Sequence, residues 1–167
     1  MTPRELVKRA LNGHEVPRPA VGPLAVHYCA KLTGVSLRDY TLKPDVLAAC
    51  VIRYYERFQP DAVWLSADTW VNAQAMGGPV AFPGDNQPLG GTGEPLIKTA
   101  TDIERIPAPD PSSQGRWPLM LNAMRRIRQG IGRGRLGHTR GRQLLKQRSG
   151  GFLEFVGKLG DSRTGHL

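Results

Sequence analysis

Only two cysteines, Cys29 and Cys50, occur in the 167 residues, and the amino-terminal stretch has no apolar core of the kind that marks a secretory signal. Free thiols in a cytoplasmic protein are therefore expected. No stretch approaches the roughly 18 consecutive apolar residues of a membrane span, which argues against a membrane protein. Proline is absent after Pro118, and after Met124 the only acidic residues are Glu154 and Asp161. These last two absences divide the chain.

What is present differs on the two sides of the division. Residues 1–124 carry 12 Lys and Arg against 12 Asp and Glu, while residues 125–167 carry 11 basic residues. The whole net charge of +9 therefore lies in the final segment, which also holds 10 of the 20 glycines from Gly130 onward. Spread over a molecule, such a charge would suggest a nucleic-acid partner; here it is confined to a tail. Apolar content of 40% and charged content of 22% are ordinary for a soluble globular domain. The length suits one domain with a sizeable core.

Thr2-Pro3-Arg4-Glu5 reads as a helix start, with Thr2 as N-cap, Pro3 where its missing N–H is harmless and Glu5 closing a capping box. Leu6, Val7, Ala10 and Leu11 mark its apolar face. Pro17-Arg18-Pro19 breaks the helix, and residues 20–26 read as a short extended segment. Ser36 can cap a turn over residues 37–40. Pro44-Asp45 opens the strongest helix, whose apolar face at 3.6-residue spacing is Leu47, Cys50, Val51, Tyr54 and Phe58.

Ala62-Val63-Trp64-Leu65 suits a strand buried on both faces, as parallel strands are. Helix, proline turn and buried strand form the rhythm of an α/β protein. The polar group Ser66-Ala67-Asp68-Thr69 then lies just past the strand, where barrel and doubly wound enzymes place their chemistry. A helical segment over 70–76, a short strand over 80–82, a Gly/Pro-rich loop over 83–95 and a capped helix from Thr99 to Arg105 follow. Residues 107–118 read as a linker, and residues 119–129 as a helix with Leu119, Met120, Ala123, Met124 and Ile127 inward. The strand due within a few residues of that helix is missing.

In their order along the chain these segments resemble the uroporphyrinogen decarboxylase superfamily, which includes corrinoid-dependent methyltransferases. The resemblance rests on Thr2-Pro3-Arg4-Glu5, Arg18-Pro19, Tyr55-Glu56-Arg57-Phe58 and Asp61-Ala62-Val63-Trp64-Leu65-Ser66-Ala67-Asp68. It continues through Gln74-Ala75-Met76-Gly77 and Glu94-Pro95-Leu96-Ile97 to the helix near Thr99. It implies that residues 1–130 are the amino-terminal part of a TIM (β/α)8 barrel, incomplete, of α/β class. It also implies a carboxy-lyase of the tetrapyrrole type, acting on a tetrapyrrole-like small molecule, with no resident metal or organic cofactor.

By position in the motif, Asp68 corresponds to the aspartate that meets the substrate's pyrrole N–H groups and stabilises the cation formed on ring protonation, a role suited to fixed negative charge. On spacing alone Asp68 reads as a helix N-cap; the resemblance reverses that preference. The decarboxylases also carry an arginine pair for the substrate's carboxylates. No arginine occurs between Arg18 and Arg38. That absence points to the methyltransferase-like branch, whose zinc ligands, a His-x-Cys pair and a further Cys, lie on later strands. His27-Tyr28-Cys29 has matching residue types at the wrong place in the chain, and is read as a strand-end His and a small buried Cys.

Residues 131–167 form the Gly/Arg-rich tail. Arg133, Arg135, Arg140 and Arg142 offer a nucleic-acid contact that needs no fold, but no aromatic residue interleaves with them. Composition changes where the resemblance stops, which favours disordered or out-of-frame sequence, as a shifted reading frame in a GC-rich gene would give.

Overall fold

A computed structural model describes residues 1–91, 93–106 and 108–131. The expected opening helix is α1 (Pro3–Leu11), with the full Thr2/Glu5 capping box. Its inward face is narrower than the sequence predicts: Leu6 and Val7 are buried, whereas Leu11 is exposed.

The extended segment predicted over 20–26 is corrected at its end, where α2 (Val26–Thr33) begins. Pro17, Pro19 and Pro23 hold the earlier residues out of a helix. Beyond Pro23 nothing prevents one, and Cys29 and Ala30 turn inward. Gly34 ends the helix in the left-handed conformation, φ 69°. His27 consequently sits in the first turn of a helix and not at a strand end.

Ser36 caps α3 (Leu37–Leu42), its hydroxyl accepting the Asp39 N–H at 3.0 Å. The long helix is α4 (Pro44–Phe58), which packs against α2, α3 and α7 and so forms the centre of the molecule. Leu47, Cys50, Val51 and Tyr54 are buried as the periodicity predicts. Phe58 is not: it is 46% exposed, on the last helical residue, where its ring lies 5.1 Å from Tyr54 and 6.1 Å from Tyr28.

The helical segment predicted over 70–76 is α5 (Val71–Ala75). β1 (Val80–Ala81) and β2 (Leu89–Gly90) pair antiparallel, Val80 opposite Gly90 and Ala81 opposite Leu89, so the predicted loop over 83–95 contains the second arm of a hairpin. α6 (Ala100–Glu104) carries the Thr99/Asp102 capping box. α7 (Trp117–Gly130) starts two residues earlier than predicted, because Pro118 is tolerated in its first turn. It buries Trp117, Met120, Leu121, Ala123 and Ile127, and its C-cap Ile131 remains in the core.

The predicted strand over 62–65 forms no ladder among the described residues. The Asp61 and Ala62 N–H groups both donate to the Val21 carbonyl, at 2.8 and 3.2 Å, and the Trp64 indole N–H donates to the Gly22 carbonyl at 2.7 Å. Residues 20–22 thus lie beside 61–64 without the repeating pairing of a sheet. A buried parallel strand needs neighbours to complete its ladder, and among the described residues the next one is absent. The α/β expectation is therefore met only in part, by a helical portion with a strand position marked out, and among the described residues the ladder belongs to the small hairpin alone.

Thr41 is fully buried, yet its Oγ1 has no hydrogen-bond partner among the described residues. A buried unsatisfied hydroxyl destabilises by about 1–3 kcal/mol. Thr41→Val keeps the shape and removes the hydroxyl, and is expected to raise the unfolding free energy by about 1 kcal/mol in urea titrations. A loss of stability of that size would mean that the hydroxyl is bonded.

Candidate functional site

Two arginine forks hold the two ends of the 62–66 segment. At its start, Arg18 Nη1 and Nη2 donate to the two Asp61 carboxylate oxygens at 2.6 and 2.8 Å, and the Val21 N–H donates to the same carboxylate at 2.9 Å. Hydrogen bonding to Asp61 raises the Arg18 pKa. The Arg18 side chain is half open to water, so this contact acts as a surface staple of small energy. It fixes which stretch of chain lies beside residues 61–64.

The second fork lies past the end of the segment and is closed to water. Arg116 Nη1 donates to Asp68 Oδ2 in a short contact, and Arg116 Nη2 donates to Oδ1 at 3.0 Å. The side chains are 6% and 3% exposed. Asp68 Oδ1 also accepts the Trp70 N–H at 2.7 Å, closing a turn ahead of α5; the N-cap of α5 is Trp70, with no side-chain cap, so Asp68 is not the helix N-cap that spacing alone suggests. Arg116 Nε donates to Gln74 Oε1 at 2.6 Å, and its guanidinium lies 4.9 Å from the centre of the Phe82 ring. Next to it, the Trp117 indole N–H donates to Asn72 Oδ1 at 3.1 Å. Two adjacent residues at the start of α7 thus grip two side chains of α5.

The carbonyls just before Asp68 are held as well. Tyr40 O–H donates to the Ser66 carbonyl at 3.0 Å. His27 Nε2 lies 3.1 Å from the Ala67 carbonyl oxygen, which can only accept, so the bond places a proton on Nε2. The two rings meet edge to face, centroids 6.2 Å apart. Burial raises the Tyr40 pKa strongly, keeping the phenol a donor at neutral pH. The segment's carboxyl end is therefore bounded by His27, Tyr40, Asp68 and Arg116, drawn from α2, α3, the turn before α5 and the residue before α7.

Of the residues singled out by sequence, Asp68 is in this cluster. His27 belongs to it too, through a helix and not a strand end. Cys29 does not: it is buried in the core, and burial pushes its thiol up to about 12, leaving it protonated and a poor ligand or nucleophile. Among the described residues no group of three or more His, Cys, Asp or Glu could hold a metal ion. Arg133, Arg135, Arg140 and Arg142 lie outside the described residues, as does the boundary region beyond Ile131. No helix among the described residues is long and apolar enough to cross a membrane. Arg116 and Tyr40 carried no sequence signal for the site, because a lone arginine in a Pro/Ser-rich linker does not announce a partner 48 residues earlier; Gln74 was marked only as part of the segment Gln74-Ala75-Met76-Gly77.

A family model described as uroporphyrinogen decarboxylase (URO-D) matches residues 2–136. Among solved structures, a methyltransferase from Methanosarcina mazei is similar at a TM-score of 0.66 and 24% identity, over 79% of this chain and 40% of that one. No curated protein matches. The likeness gives the fold, a partial TIM barrel, and the chain spans 40% of the methyltransferase's length.

Gly115 delivers Arg116 to its site. Its φ of +54° is left-handed, and a Cβ there would stand 2.8 Å from the Ala75 nitrogen. Gly115→Ala is expected to cost about 1–3 kcal/mol and to pull Arg116 from Asp68. Urea midpoints equal to those of the parent would contradict this close approach.

Proposed function

Because the chain belongs to the uroporphyrinogen decarboxylase family, we propose that it forms the first strand end of a superfamily barrel whose small-molecule chemistry takes place beside Asp68. Its branch is the methyltransferase-like one. One observation carries this choice: both oxygens of the carboxylate that the decarboxylases turn toward pyrrole N–H groups are engaged by Arg116, with the side chain 3% exposed. A carboxylate so neutralised has little left to offer a cationic ring intermediate. The missing arginines between Arg18 and Arg38 support the same choice, since a substrate with many carboxylates would meet no guanidinium fork there.

On this reading the chain's own groups bind and orient. His27 and Tyr40 fix the backbone leading into Asp68, and the partly exposed Trp70 and Phe82 rings give this end of the segment an apolar surface. A flat macrocycle such as a methyl corrinoid suits such rings as a methyl-donating substrate. The zinc of the methyltransferase-like members does not fit the described residues, which hold no ligand group for it, and no step is assigned to it. The nucleic-acid alternative concerns Arg133, Arg135, Arg140 and Arg142, which lie outside the described residues.

Equilibrium dialysis against methylcobalamin and uroporphyrin, with a parallel assay of carboxyl loss from uroporphyrinogen, tests the reading. Saturable retention of methylcobalamin and no carboxyl loss are expected. Decarboxylation that disappears in Asp68→Asn would overturn the choice of branch.

A further inference from the structure

The two arginine forks differ in a way that ion pairing alone does not require. Around Asp61 the guanidinium is held by a carboxylate and its own neighbouring carbonyl, Pro19 O at 3.0 Å, and its side chain is 55% exposed. Around Asp68 the guanidinium is enclosed on three sides by different chemistry. The carboxylate takes two N–H groups along one edge, the Gln74 amide oxygen takes Nε at 2.6 Å, and the Phe82 ring covers one face at 4.9 Å. An in-plane fork, an in-plane amide acceptor and an aromatic floor together specify a planar, cationic N–H donor.

The side chain that fills this space does not come from the face of a helix packed over it. It is carried by the residue before α7, after Gly115 in the left-handed conformation. The cage itself is built by other parts of the chain: Asp68 is fixed by the Trp70 N–H, Gln74 lies on α5, and Phe82 follows β1. The Phe82 carbonyl accepts from Arg38 Nη1 at 2.9 Å, which anchors the floor to α3 independently of Arg116.

We infer that Asp68, Gln74 and Phe82 form a guanidinium-recognition site which the chain fills with its own Arg116, so that a ligand reaching the Asp68 carboxylate must bring a planar N–H fork and displace that side chain. The ligand class is an alkylguanidine or amidine. The second half of the inference, displacement by a ligand, rests on the proposed reading that small-molecule chemistry takes place beside Asp68. The first half, the cage, does not.

The test uses the full chain with Arg116→Gly, which empties the cage, and guanidinium at low millimolar concentration, far below denaturing levels. Guanidinium is expected to raise its Tm saturably, by roughly 5 °C, with no such rise for methylammonium or sodium. The intact chain, whose cage is filled, should show no rise, and neither should the Asp68→Asn, Arg116→Gly double variant. If Arg116→Gly is unfolded on its own, the readout becomes guanidinium-dependent recovery of folded signal in the same series. Absence of a saturable, Asp68-dependent effect in either form overturns the inference. Arg116→Lys supplies an independent check: a point charge cannot satisfy both carboxylate oxygens and Gln74 together, so parental stability in that variant would also overturn it. Failure here leaves the methylcobalamin result untouched, so the two proposals fall separately.

Discussion

Arg116 and Asp68 meet with almost no water around them, and much of the described structure is arranged about that contact. Leaving one charge of such a pair uncompensated costs about 3–5 kcal/mol, a large part of the stability of a small domain. The contact ties the turn after residues 62–66 to the start of α7, and α7 lies along α4. Since α4 also carries α2 and α3, the position of the central helix and that of the strand-like segment are set together. The Arg18 staple at the other end adds register, but its exposed guanidinium contributes little energy by comparison.

Local chemistry accounts for the parts of the fold that could be read in the sequence. Thr2 with Glu5, Ser36, Thr99 with Asp102 and Pro44 announce helix starts because caps act within three residues, and each starts a helix in the structure. The face of α4 could be read because burial there follows one period. What could not be read depends on long-range partners. The apolar run of residues 62–65 is that of a buried strand, but its ladder requires neighbouring strands that the described residues lack. α2 was hidden by the prolines just before it. In the candidate site, motif position singled out Asp68, whereas Arg116, Gln74 and Phe82 come together only through the turn at Gly115 and the hairpin.

The carboxyl end of a strand position is where the family would lead one to look for chemistry, and the residues at that end are of two kinds. His27 and Tyr40 serve the backbone, holding two carbonyls that would otherwise face the interior unpaired. Asp68 and Arg116 serve each other. A barrel draws catalytic groups from several strand ends, and this chain matches 40% of the methyltransferase it resembles.

The most direct test of this account is a double-mutant cycle with Asp68→Asn and Arg116→Gln, read as unfolding free energies in urea. Direct pairing across a dry contact should give a coupling energy of about 2–3 kcal/mol, with the double variant less damaged than the sum of the single ones. Additive losses would contradict it, showing that the two residues stabilise the molecule separately and that the end of the 62–66 segment is held by something else.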